Sequence, residues 1–196
     1  MKLLLDILQG AGLAGAAGLR PFLPTLLAGG LAEANAGVDF DHTKFAFLES
    51  PVFLVIIAVA AAVTIAYERR AGAARLETGP LGAALAGVAM GLGALMAAGS
   101  IADNFHTWWY GIPIGLACAA LGTAAGRSLF GRVRQRLDAD AREALPVYAE
   151  AGALLSAGAS ILFPPLAILV LGFLGWLVIG GRRRSQQKFA GLRILR

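Results

Sequence analysis

Apolar residues in this chain come in long unbroken runs rather than in alternation or in one-sided stripes. A window of about 19 residues marks runs at 3–31, 51–67, 80–101, 108–129, 144–162 and 165–181. At about 1.5 Å per residue a helical run of roughly twenty residues crosses a hydrocarbon core of about 30 Å. Strands of a membrane barrel would alternate, and these runs do not. The pattern predicts an all-α membrane protein of about six transmembrane helices.

The first run is broken. It contains GLRPFLPTLLAGG, in which Arg20 stands before Pro21 and Pro24 follows three residues on. As one helix, 3–31 would measure about 44 Å, too long for a straight span. Pro21 and Pro24 interrupt the hydrogen-bond ladder, and Pro21 disfavours helical angles at Arg20. The expectation is a proline-broken first helix. Its break would lie near the outer side, with a short re-entrant or interfacial half-helix after it.

Composition agrees with the membrane class. The 196 residues are 58% hydrophobic and 15% charged, with a mean hydropathy of +0.71. Many of the 26 glycines fall inside apolar runs. There they permit close helix approach, as at Gly87/Gly91, Gly111/Gly115 and Gly122/Gly126, which favours tight internal packing first and a homo-oligomer second. The start of the chain resembles a signal peptide, but Asp6 interrupts its apolar core and no clean cleavage site follows, so it reads as an uncleaved span. The single cysteine, Cys118, supports neither a disulfide framework nor a zinc site.

Charge placement orients the chain. Arg69, Arg70, Arg75, Arg127, Arg132, Arg134, Arg136, Arg142, Arg182, Arg183, Arg184, Lys188, Arg193 and Arg196 fall on one set of connections, and only Lys44 on the other. With six spans, the positive-inside rule puts both termini in the cytoplasm. Residues 1–181 then form one transmembrane domain. The tail 182–196 lies on anionic inner-leaflet lipid through Arg182, Arg183, Arg184, Lys188, Arg193 and Arg196. The basic residues fit headgroups rather than nucleic acid, for which no soluble domain remains.

The two halves share an order of proline-anchored segments: RPFLP, SPVFLVI and GPLGA, then WWYGIPIG, LPVYAEA and PPLAI. Two readings stand: a 3+3 inverted repeat of the transporter kind, or prolines favouring first helical turns.

Candidate chemistry is sparse. Arg20 reads as an anion-binding group beside a helix N-terminus, or as an interfacial anchor or structural ion pair. Asp103, Asn104 and His106 share a short external turn that would lie at the level of Arg20. They read as solute-binding groups, with Asp103 available to pair with Arg20, or as an ordinary polar turn. Trp108, Trp109 and Tyr110 read as an interfacial belt. Glu150, about six residues into a span, should face the bundle, with Asp6 and Glu68 at the same inner level. The chain holds no HExxH, GxSxG, P-loop or CxxC. No cofactor is implied. His42 and His106 with Asp39, Asp41 and Asp103 supply metal-ligand types without diagnostic spacing.

GLRPFLP, DNFHTWWYGIPIG, RLDADAREALPVYAEAG, LFPPLAILVLGF and the closing GLRILR together resemble an uncharacterised family of small bacterial integral-membrane proteins. The resemblance implies a multi-span inner-membrane protein and brings no substrate or catalytic residue. The expected function is transporter- or channel-like, handling a small anion or a lipid phosphate at the broken first helix. Its rivals are a lipid-binding or complex-stabilising scaffold and, third, a metal-dependent membrane enzyme.

Overall fold

The computed structural model describes residues 2–72, 79–134 and 139–192. These are helical with no strand: α1 (Lys2–Leu19), α2 (Phe22–Glu33), α3 (Pro51–Ala71), α4 (Gly79–Ala102), α5 (Gly111–Arg134), α6 (Ala139–Leu162) and α7 (Leu166–Leu192), plus 3-10 turns at Ala46–Leu48 and Trp108–Tyr110. Five stretches are long and apolar enough to cross a membrane: Lys2–Leu19, Pro51–Arg70, Gly79–Ala102, Trp108–Arg134 and Ala144–Leu162. Phe22–Glu33 and Leu166–Gly181 are shorter apolar helices.

α1 is the axle of the bundle. Its residues from Gln9 to Gly18 are all buried, and α2, α4, α5, α6 and α7 pack around it. This is possible because the buried stretch holds only one large apolar side chain, Leu13. A Cβ on Gly10 would strike Ala97, one on Gly12 would strike Ser160, and one on Gly18 would strike the Ala119 backbone. Gly122 of α5 likewise faces the backbone of Gly15 and Gly18. Backbones that approach this closely gain dispersion contacts that longer side chains would prevent. Gly111 and Gly115 pack on α4, whereas Gly87 and Gly91 have nothing within 4 Å of their Cβ positions. Of the three expected glycine pairs, the Gly87/Gly91 pair therefore faces outward.

The proline break folds the chain back on itself. Arg20 N–H closes the last turn of α1 on Ala16 O at 3.1 Å. Pro21 caps α2, and the Thr25 hydroxyl donates to Pro21 O at 2.7 Å. Pro24 sits in the first turn of α2, where a missing N–H costs no helical bond. α2 then runs back along α1, so that Gln9 near the start of α1 donates to Gly37 O beyond the end of α2, at 2.6 Å.

This return changes the topology. α1, α3, α5 and α7 run one way and α2, α4 and α6 the other. Asp6 O meets Ser100 at the end of α4, Gly82 at its start meets Arg127, and Gly181 meets Ser128. Lys2 and Gly181 thus lie at opposite ends, where six passes would place both on one side. The extra helix that the prolines create is the cause. One end of the bundle carries Asp6, Asp39, Asp41, Glu49 and Asp103; the other carries Arg69, Arg70, Arg127, Arg132 and Arg134. Arg75 and Arg136, and Arg193 and Arg196 of the tail, lie outside the described residues. α2 packs chiefly on α3 and α6, and α5 chiefly on α1 and α4.

Many large apolar side chains point outward. α3 alone presents Val52, Val55, Ile56, Val59 and Val63, each more than half exposed. Stripes of this kind suit a lipid solvent and would be a liability in water. The loop 34–50 closes the acidic end by burying Val38, Phe40, Phe45 and Leu48, with Phe40 seated on Gly99.

Candidate functional site

Polar groups gather at the two ends of α1. At the basic end, the turn between α1 and α2 aims Arg20 at α3. Its Nη1 and Nη2 donate to Glu68 Oε2 and Oε1 at 3.0 and 2.9 Å. This is a fork-on-fork pair, the strong geometry for guanidinium and carboxylate. The Arg20 side chain is 15% exposed and that of Glu68 5%. Glu150 of α6 brings Oε1 to 3.6 Å from Arg20 Nε, while its Oε2 is buried and has no hydrogen-bond partner.

Arg20 lines two small cavities. One, of about 80 Å³, is bordered by Glu68, Gly82, Thr123 and Arg127. The other, of about 30 Å³, is bordered by Thr64, Leu85 and Glu150. Both can admit water molecules. Arg127 donates to Gly82 O at 2.9 Å and so ties α5 to the first turn of α4.

At the acidic end a larger cavity of about 220 Å³ is lined by Asp6, Gln9, Asn35, Gly37, Val38, Asp39, Ser100 and Asp103. The Ser100 hydroxyl donates to Asp6 O at 2.9 Å and reaches Gln9 Oε1 at 3.4 Å. These contacts lock α1, α4 and the loop into one wall. Asp6 Oδ2 is shut from solvent without a hydrogen-bond partner. Asn104 donates to Asp103 Oδ2 at 2.8 Å. Partial burial, then the Asp39 carboxylate, push the Asp103 carboxyl above its usual range, against Lys2 and Asn104.

Above this cavity the carboxylate oxygens of Asp39, Asp41 and Glu49 lie within 4.8 Å of one another. Glu49 is buried, and Phe40 N–H donates to its Oε2 at 3.3 Å. Burial first, then a hydrogen bond with Asp41, push Glu49 upward. This carboxylate group includes neither histidine, so the expected mixed histidine–aspartate grouping is not the one the fold assembles among the described residues.

The structure therefore separates residues that the sequence placed on one level. Arg20 and Glu150 meet at the basic end. Asp103, Asn104 and His106 lie at the other end, exposed, and Asp103 does not pair with Arg20. The reason is the direction of α1, which starts at the acidic end and delivers Arg20 to the basic one. Trp109 and Tyr110 are about half exposed and stacked at 3.8 Å. Trp108 instead packs edge-on against Phe45 at 5.4 Å, beneath Lys44 Nζ at 5.6 Å. Sequence reasoning missed Gln9 and Ser100. Each is a polar residue inside an apolar run, which is itself the signal for an interior-facing position.

No family model, no curated protein and no solved structure matches this chain.

Proposed function

We propose that the chain is a multi-pass membrane protein, transporter-like, that takes a small cation into the cavity at its acidic end. The observation that carries this reading is the Asp6 carboxyl, which lines a cavity with Asp39 and Asp103, is met by the Asn104 amide and keeps a buried Oδ2 without a partner of its own. Leaving such a group unpaired is costly, and a cation supplies the missing partner. The lining offers carboxylate, amide and hydroxyl oxygens, the donor set of hard cations and of protonated amines. The basic end is less suited to an anion or a lipid phosphate. Arg20 already faces two carboxylates there, and an anion would have to displace one of them.

Positive residues favour the cytoplasm. In this reading the basic end and α7's C-terminal end are cytoplasmic, the start of α1 and the acidic cavity are external, and the resemblance points to a bacterial inner membrane. A scaffold remains the rival, favoured by the bidentate Arg20–Glu68 pair and the close glycine seam. Proteoliposomes challenged with Na⁺, K⁺, Mg²⁺ and a primary amine separate the two. The transport reading expects flux of one of these ions that falls at least about tenfold, or about 1.4 kcal/mol in barrier, in Asp6→Asn. Absence of flux for all four, in protein that remains folded, would favour the scaffold.

A further inference from the structure

We infer that Glu150 is a proton-binding site within the membrane-spanning bundle, a neutral carboxylic acid that exchanges its proton through the cavity it shares with Thr64. The argument is one of charge matching. Arg20 and Glu68 are the charged groups that act on Glu150. Arg20 spends both terminal nitrogens on Glu68, in a pair that neutralises itself. Glu150 is left with Oε1 at 3.6 Å from Nε, beyond good hydrogen-bond distance, and with Oε2 buried and unpartnered. Of the two carboxylates that face Arg20 among the described residues, only Glu68 is paired in good geometry. A group in the position of Glu150 neutralises itself rather than remain a poorly paired ion.

A proton on Oε2 removes the poorly paired charge and turns the orphan acceptor into a donor. Glu150 lines the same cavity, about 30 Å³; Oε2 itself is closed to solvent, so a turn of the carboxyl about its last bond is what brings a protonated oxygen to that cavity. It has room for a water. The Thr64 hydroxyl on its wall donates to Ala60 O at 2.8 Å and keeps oxygen lone pairs to accept with. Glu68 is the contrasting carboxylate: both of its oxygens accept from Arg20.

This inference deepens the transport reading, since it names a proton as the ion the basic end would exchange, but its test needs no flux. Full-length protein in nanodiscs is treated with a hydrophobic carbodiimide, which adds to protonated carboxyls in apolar surroundings. Adducts are located by peptide mass mapping. In parallel, infrared difference spectra record the protonated-carboxyl stretch. The expected result is an adduct on Glu150, severalfold more abundant in mildly acidic than in mildly alkaline buffer, with Glu68 unlabelled. Adduct and band are both lost in Glu150→Gln. A band that vanishes in Glu150→Gln without an adduct also sustains the site, since it reports the proton directly. No protonated band and no adduct at Glu150, or preferential labelling of Glu68, overturns it. Labelling as expected beside absent cation flux keeps the proton site and removes the transport reading.

Discussion

Arg20 makes one strong pair and one long one, and the difference governs what each partner contributes. Glu68 supplies two charge-assisted bonds in a position that is nearly closed to water. Its removal takes both of these bonds from the guanidinium, and the contact to Glu150, at 3.6 Å, is too long to replace them. Glu68→Ala is therefore expected to cost about 3 kcal/mol, as for other buried pairs deprived of one member. The double replacement Arg20→Met with Glu68→Met should recover a large part of that loss, because it removes both charges together. Reversible unfolding in mixed micelles measures both. A Glu68→Ala variant as stable as the parent would mean that the pair is a solvated surface contact. The sequence exposed Arg20 as a residue needing a partner, but gave no way to choose one. Glu68 lies 48 positions away, and only the direction of α1 brings the two to one end.

At the scale of elements, the prolines announced a break and were right about its place. What they could not tell was whether the chain continued outward or turned back. That depends on packing: α2, at about 18 Å, is too short to span alone, but its Ala28 and Ala32 fit the same core as Leu13 and Ala16. The glycine pairs teach a similar lesson. Their spacing marks a helix face without saying which neighbour meets it. Gly122→Ala should destabilise by about 1–3 kcal/mol or more, since its Cβ lands on the Gly15 carbonyl of the axle. Gly87→Ala and Gly91→Ala meet open space, and each should be neutral or stabilising by up to about 1 kcal/mol through helix propensity. Thermal unfolding of the three variants tests this. A loss at Gly87 or Gly91 as large as at Gly122 would point to a helix covering that face.

For the whole molecule, the all-helical class and the charge asymmetry were legible in the sequence; the number of helices was not. The hydropathy window fused α1 and α2 into one run, and in the proposed orientation their separation moves the N-terminal end to the external side. On a Cys118→Ser background, Lys2→Cys and Lys44→Cys should react with an impermeant maleimide in intact cells. Arg70→Cys should react only after permeabilisation. Reaction of Arg70→Cys in intact cells, with Lys2→Cys protected, would reverse the orientation.

α3 sets a further condition on this molecule. Only 17% of its span is buried, against 56% for α1; its packing is chiefly with α2 and the 3-10 turn before it, and its far end is clasped by Arg20. In the membrane reading, lipid tails complete its surroundings where the described helices do not. At 21 residues it measures about 31 Å, close to the thickness of an average hydrocarbon core. A thinner or thicker bilayer would have to be met by tilting α3, and the clasp at Glu68 is where that tilt would be resisted. In that reading bilayer thickness is a mechanical load on this fold, and Arg20 is one of the points that bear it.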